Sequence, residues 1–96
     1  MENKLWSLVF LYEGYDGNLP YASVMAVSKD IEAIKAEMAK YIAEDCQVLD
    51  DKDDEYFEYR NFEIHKQSDL EVVLHHKVYV DCYTKYIIQI TDIISS

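Results

Sequence analysis

The sequence predicts an α+β fold, in which a small antiparallel sheet of about four to five strands carries one amphipathic helix packed on it. Three observations lead to this fold class. Two apolar runs near the N-terminus are separated by a turn signal. Residues 29–45 then repeat apolar side chains at helical spacing, and the chain beyond residue 56 alternates apolar and polar side chains as strands do. The predicted order is therefore ββα followed by two or three further strands.

The first two strands are expected at residues 5–12 and 21–27. Residues 5–12 (LWSLVFLY) are almost continuously apolar and too short for a buried helix without caps, which is typical of a central strand. The segment 13–20 between them contains Asp16-Gly17, a turn signal in which glycine accepts the positive φ of a tight hairpin turn. We therefore expect a hairpin with a rather long loop.

The clearest predicted helix covers residues 29–45. Its apolar residues recur at intervals of three and four, which places them on one face: Ile31, Ile34, Met38, Tyr41 and Ile42. Ser28 is the expected N-cap. Asp30 and Glu32 would then lie in the first turn, where the helix dipole favours negative charge. The pattern predicts a surface helix that lays one stripe on a sheet.

From Tyr56 onward the pattern has a period of two. Phe62 and Ile64 alternate with polar residues, and a last apolar strand is expected over 86–94. One set of residues between 70 and 82 shares even parity and is expected to point inward: Leu70, Val72, Leu74, Val78, Val80 and Cys82. The sequence Ser68-Asp69-Leu70-Glu71 also fits a capping box, so a short helix over 69–76 is an alternative.

Size and charge limit the possible functions. The chain has 96 residues, half of them apolar, and a net charge of −10, which indicates a single domain over 1–96. Direct binding to nucleic acid or to anionic lipid is not expected, because both require clustered Lys and Arg. The sequence contains neither the ~20-residue apolar stretch of a membrane span nor a secretory signal pattern. We therefore expect a cytoplasmic protein in which Cys46 and Cys82 are free thiols.

The acidity is concentrated in residues 44–58, which we call the acidic segment. Lys52 is its only base, so it carries −7 of the net −10. Its acidic residues are Glu44, Asp45, Asp50, Asp51, Asp53, Asp54, Glu55 and Glu58. Taken alone, such a run is typical of a solvated connection between a helix and a strand.

The sequence offers little support for catalysis. Gly14 and Gly17 lie in an acidic stretch without lysine, which cannot cradle a phosphate. Cys46 is close in sequence to several carboxylates, and negative neighbours raise a thiol pKa and leave less of the reactive thiolate. Exposed carboxylates also lack the shaped, partly buried site that acid–base catalysis requires. We expect neither an enzyme nor a cofactor.

Metal binding is also not expected. His75 and His76 would point to opposite faces of a strand, and His76 and Cys82 would lie ~20 Å apart along one. Zinc ligands must converge on one ion, so surface or hydrogen-bonded histidines are the favoured interpretation. Asp51, Asp53 and Glu55 match alternate positions of a calcium-binding loop. The required glycine and final glutamate of that loop are replaced by Tyr56 and Phe62.

Recognition of a protein partner is the remaining hypothesis. A compact acidic surface can occupy a basic groove in place of DNA, and tyrosine supplies contact area at low entropic cost. Tyr56 lies within the acidic segment, and Tyr41 and Tyr59 flank it. We therefore predict a non-catalytic inhibitor or adaptor that binds a basic protein surface, for example one that binds nucleic acid. Small phage anti-defence and immunity proteins are analogous at the level of class alone.

An interaction domain or homodimer is the alternative. It would act through its sheet edge or helix face, and the acidic segment would serve solubility alone.

Overall fold

A computed structural model of the chain describes residues 4–12, 21–79 and 81–92. These residues form five strands, one α-helix and one short 3-10 helix. Their bounds, in chain order, are β1 (Lys4–Tyr12), β2 (Tyr21–Ser28), α1 (Ile31–Asp45), the 3-10 helix (Phe57–Tyr59), β3 (Phe62–Gln67), β4 (Glu71–His76) and β5 (Tyr83–Asp92). The predicted hairpin loop 13–20 lies outside the described residues.

The five strands form one antiparallel sheet in the order β2-β1-β5-β4-β3. Strand β1 lies between β2 and β5, as its continuous apolar sequence predicts. Helix α1 packs on one face of this sheet, so the predicted α+β class is confirmed. No helix within the described ranges is long and apolar enough to cross a bilayer.

The core lies between α1 and this sheet face. Ile34 and Met38 are the buried residues of the helix, and they share the core with Leu8 of β1 and Ile88 of β5. The buried residues of the core are Leu8, Ile34, Met38, Phe62, Val72, Leu74, Cys82, Tyr86 and Ile88. The predicted apolar stripe of the helix is therefore the surface that packs on the sheet.

The start of the helix differs from the sequence prediction. The expected N-cap, Ser28, is wrong, because Ser28 is the last residue of β2 and pairs with Trp6. Asp30 is the N-cap instead, with extended backbone and a carboxylate that accepts the Glu32 N–H at 3.0 Å. The Ser28 hydroxyl accepts the N–H of Asp30 at 3.0 Å and so supports the cap.

The inward parity predicted for 70–82 holds only within β4. Val72 and Leu74 are buried, and the alternative helix over 69–76 is wrong, because 71–76 is a strand. Leu70 and Val78 are exposed, contrary to prediction, since they lie in the turns on either side of β4, where alternation does not continue. Cys82 is buried as predicted, although it belongs to a turn. Val80 lies outside the described residues.

Ile64, which alternates with polar residues in the sequence, lies on the edge strand β3 and is 48% exposed. The last strand begins at Tyr83 rather than at the predicted residue 86, and this earlier start allows His75 to pair with Tyr83. Residues 93 and 94 lie outside the described ranges.

Both edge strands contain a β-bulge. In β2, Met25 is inserted between the residues that pair with Leu8 and Val9 of β1. In β3, His65 is inserted between Ile64 and Lys66, which pair with β4. Each bulge resets the alternation of side chains, so Met25 and Ala26 both pack toward the core.

Candidate binding surface

The acidic segment continues from the end of α1 across the helix side of the sheet. Asn61, just beyond it, holds this connection through three hydrogen bonds. Its N–H donates to the Gln47 carbonyl at 2.8 Å, and its Oδ1 accepts the Leu49 N–H at 2.9 Å. Its own carbonyl accepts the Lys77 N–H at 2.8 Å. Asn61 has a φ of 63°, a left-handed conformation that asparagine tolerates better than most residues.

His76 anchors the C-terminal end of the acidic segment from the sheet side. The ring is completely buried, and its Nε2 lies 3.1 Å from the Phe57 carbonyl oxygen. Its Nδ1 accepts the N–H groups of Val78 and Tyr79, both at 3.0 Å. A nitrogen that accepts two N–H groups carries no proton, so Nε2 holds the hydrogen and donates it to Phe57.

The histidine ring also packs against aromatic neighbours. Phe57 is buried, and its ring centroid lies 5.8 Å from that of His76 and 5.9 Å from that of Tyr79. Phe62 meets His76 edge-on at 5.0 Å. The acidic segment is therefore fixed to the sheet by a buried aromatic residue as well as by hydrogen bonds.

Most carboxylates of the acidic segment lie on the surface. The exposed acidic residues between the end of α1 and the end of the 3-10 helix are Asp50, Asp51, Asp53, Asp54, Glu55 and Glu58. Two of them are oriented by the local backbone. Asp51 accepts the Asp53 N–H, and Asp54 accepts the Tyr56 N–H, each at 2.9 Å. In the part of the chain that the structure describes, none of these six carboxylates forms an ion pair.

Glu44 differs from these six because Arg60 neutralises it. The guanidinium Nη2 lies 2.9 Å from Glu44 Oε1. The same guanidinium lies over the Tyr56 ring, 5.6 Å from its centroid. Arg60 thus connects the end of α1 to the 3-10 turn and removes one charge from the acidic surface.

Asp45 and Tyr41 face the core rather than solvent. Both are half-buried, and the Tyr86 hydroxyl donates to Asp45 Oδ2 at 2.5 Å. The Tyr41 ring stacks on Tyr86 at 6.1 Å and 15°. Tyr56 and Tyr59, in contrast, are 53% and 60% exposed and lie among the carboxylates. The structure therefore brings two of the three predicted tyrosines to the acidic surface.

Burial raises the pKa of Asp45 from 3.8 to about 6, against the opposing effects of the Tyr86 hydrogen bond and of Arg60. A folded-state pKa above the unfolded value means that the stability contributed by protonated Asp45 is present below pH 3.8. It is lost as the pH rises through about 6. At neutral pH the ionised Asp45 therefore opposes folding.

Asp45→Asn should stabilise the protein at pH 7.5, because asparagine can still accept the Tyr86 hydroxyl without a buried charge. Water screens part of the cost of the Asp45 charge at this half-buried site. We therefore expect the free energy of unfolding to rise by about 1–2 kcal/mol. Urea denaturation of both proteins across the pH range measures it. The difference should be near zero at about pH 4, where wild-type Asp45 is protonated. A variant less stable than wild type at pH 7.5 would contradict this assignment.

The two cysteines are free. Burial and then the Asp45 charge raise the pKa of the Cys46 thiol, whereas Lys77 acts in the opposite direction. Burial and then Glu58 raise the pKa of Cys82 to about 11. The sequence predicts that the Cys46 pKa is raised, but burial of the thiol raises it more than the neighbouring carboxylate does. Both thiols are therefore poorly ionised at neutral pH.

Other kinds of site have little geometric support. Among the residues that the structure describes, no three His, Cys, Asp or Glu side chains are grouped as metal ligands would be. His75 and His76 lie on opposite faces of β4, as predicted. A shallow groove of about 250 Å³ lies between α1 and the β3–β4 turn, lined by Lys35, Met38, Ala39, Ile42, Gln67, Ser68, Asp69 and Val72. This lining contains no histidine.

Sequence reasoning identified the acidic surface but missed Asn61 and His76, which hold it. For Asn61 the available signal was residue type, since asparagine is enriched at positive φ. For His76 it was the even parity that it shares with the buried Val72 and Leu74.

Comparison with protein-family models, curated proteins and solved structures finds no match to this chain.

Proposed function

We propose that this protein is a non-catalytic binding module whose acidic segment occupies a basic surface of a partner protein, such as a nucleic-acid-binding groove. An inhibitor working in a cytoplasm is the role that we favour. The observation that carries the proposal is a set of six exposed carboxylates on an anchored segment, with two exposed tyrosines among them.

The anchoring supports this proposal in energetic terms. A disordered acidic loop would lose conformational entropy when it docked, at a cost of about 1–2 kcal/mol for each residue fixed. Asn61 and His76 already fix the connection at both ends, and Asp51 and Asp54 are held by local hydrogen bonds. Most of the ordering therefore occurs on folding, which favours tight binding.

The charge arrangement supports a basic partner. Glu44 has its counter-ion in Arg60, and Asp45 faces Tyr86, so neither offers a free charge outward. The six exposed carboxylates form no ion pair within the described ranges. The Lys and Arg side chains of a basic partner would pair with them. Complementary charge of this kind accelerates association and weakens with salt.

Tyr56 and Tyr59 would supply the apolar part of the contact. Each residue is more than half exposed beside the carboxylates. Tyrosine is enriched in binding surfaces because its rigid ring buries a large area and its hydroxyl still bonds to polar groups. Tyr41 is stacked on Tyr86 and would contribute indirectly, by supporting the end of α1.

Neutralising the outward charge tests the proposal. The test variant replaces Asp50, Asp51, Asp53 and Asp54 with asparagine and Glu55 with glutamine. Asparagine keeps the oxygen that accepts the local N–H groups. We expect wild type to capture a basic protein from host lysate in a mass-spectrometric pull-down. With that partner purified, the variant should bind at least about tenfold more weakly, and wild-type binding should weaken with salt.

A matched control variant separates local charge from total charge. Asp30, Glu32, Glu37, Asp69 and Asp81 lie outside the acidic segment, and changing them to Asn or Gln removes the same number of charges. The control should bind as wild type does. Equal binding by wild type and test variant, or salt-insensitive binding, would refute the electrostatic proposal. The function would then lie on the helix face or sheet edge.

A further inference from the structure

The sheet has a second face, opposite α1, and its centre is apolar. The alternation along each strand and the strand register place one set of apolar side chains there: Leu5, Val9, Leu11, Val24, Val27 and Ile87. None of them belongs to the core between the sheet and the helix. Val24 and Val27 are 62% and 58% exposed.

These side chains form a continuous row across three strands. Val9 of β1 pairs with Val24 on one side and with Ile87 of β5 on the other. Helix α1 and the acidic segment, the two described segments that pack over the sheet, both lie on the opposite face. Within the described residues, the second face is therefore left uncovered.

The charge of this face is balanced, unlike that of the whole molecule. Its charged strand residues are Glu63, Lys66, Glu71 and Lys85, two acids and two bases. Lys85 Nζ lies 3.6 Å from Glu71 Oε1, so one pair is already neutralised within the chain. Although the whole chain carries a net charge of −10, two copies can approach through this balanced face with little repulsion.

We propose that the second face binds the same face of another copy, giving a two-fold symmetric dimer of stacked sheets. A two-fold axis that lies between the two sheets and parallel to them would bring the row formed by Val24, Val9 and Ile87 of each copy against that of its partner. Stacked sheets lie about 10 Å apart, a spacing that valine, leucine and isoleucine side chains fill.

The available area is sufficient for such a dimer. Five strands spaced about 4.8 Å apart, overlapping over about seven residues of 3.3 Å each, cover on the order of 550 Å² per copy. Two copies would then bury about 1,100 Å², which exceeds the ~1,000 Å² that a specific interface should reach. The acidic segments lie on the helix side of each sheet, so they would face outward on opposite sides of the dimer.

Sedimentation analysis of wild type and two charge-matched variants tests the dimer. The test variant, Val24→Lys with Val27→Lys, places two charges on the second face. The control, Ile64→Lys with Ile90→Lys, places two on the helix side at residues that are 48% and 46% exposed. We expect a wild-type dimer at about 100 μM, an unchanged control, and a dissociation constant at least about tenfold higher for the test variant.

The sedimentation results would either support or refute the dimer. A monomeric wild type at that concentration, or a test variant and control that behave alike, would overturn the proposal. A mixture of isotope-labelled and unlabelled wild-type protein gives a test that needs no variant. Intermolecular nuclear Overhauser effects should join the Val9 and Ile87 methyl groups of different copies, and contacts confined to other surfaces would refute the stacked arrangement.

Discussion

His76→Ala should lower the free energy of unfolding by about 4 kcal/mol, the largest effect that we expect from a single substitution. The change leaves the Phe57 carbonyl and the N–H groups of Val78 and Tyr79 without their buried partner. Each unsatisfied buried group costs about 1–3 kcal/mol, and the lost ring leaves a cavity. Urea denaturation followed by the fluorescence of Trp6, the single tryptophan, measures the loss.

His75 provides the matched control because it is the adjacent residue on the opposite sheet face. It is half-buried and stacks on Tyr83 at 4.6 Å. We expect His75→Ala to cost about 1 kcal/mol, in the range for an aromatic contact at a partly exposed site. Equal losses for the two variants would show that His76 contributes no more than its neighbour, and would contradict its role as an anchor.

Asn61→Ala should destabilise the protein by about 3 kcal/mol. Alanine must adopt the left-handed φ of 63°, at a cost of about 1–2 kcal/mol. It also leaves the Leu49 N–H without the Oδ1 acceptor, which adds about 1–2 kcal/mol at this part-buried site. The free energy of unfolding and the hydrogen exchange of the Leu49 amide measure the global and the local effects.

Asn61→Gly separates these two contributions. Glycine accepts the backbone conformation but lacks the side chain, so it should cost about 1–2 kcal/mol, less than alanine. Exchange at Leu49 should accelerate in both variants. Exchange at Lys77, whose N–H is bound by the Asn61 carbonyl, should stay slow in the glycine variant. If glycine destabilised the protein as much as alanine, the left-handed backbone would not be the cause.

The elements of the fold that depend on local patterns were predictable from the sequence. Residues 5–12 fall within β1, and the apolar stripe of α1 is the packed face, because periodicity records which side chains are buried. Boundaries were less predictable. Asp30 rather than Ser28 caps the helix because Ser28 is held in the sheet by pairing with Trp6, a contact across strands.

The state of the acidic segment could not be predicted, because the contacts that fix it join distant residues. Asn61 binds Leu49 twelve residues away, and His76 binds Phe57 across nineteen. A charge count also cannot show that Asp45 faces Tyr86, forty-one positions along the chain. Composition located the acidic surface, whereas tertiary contacts determine which of its residues face outward.

The two β-bulges affect self-association through the edges of the sheet. An open sheet exposes unpaired N–H and C=O groups along both edges, and a flat edge can template further strands without limit. Here the edges are β2 and β3, and each is interrupted, at Met25 and at His65. A bulge bends its strand and increases the twist, so a second chain cannot continue a regular ladder along it. The fold thereby opposes fibril growth at its edges.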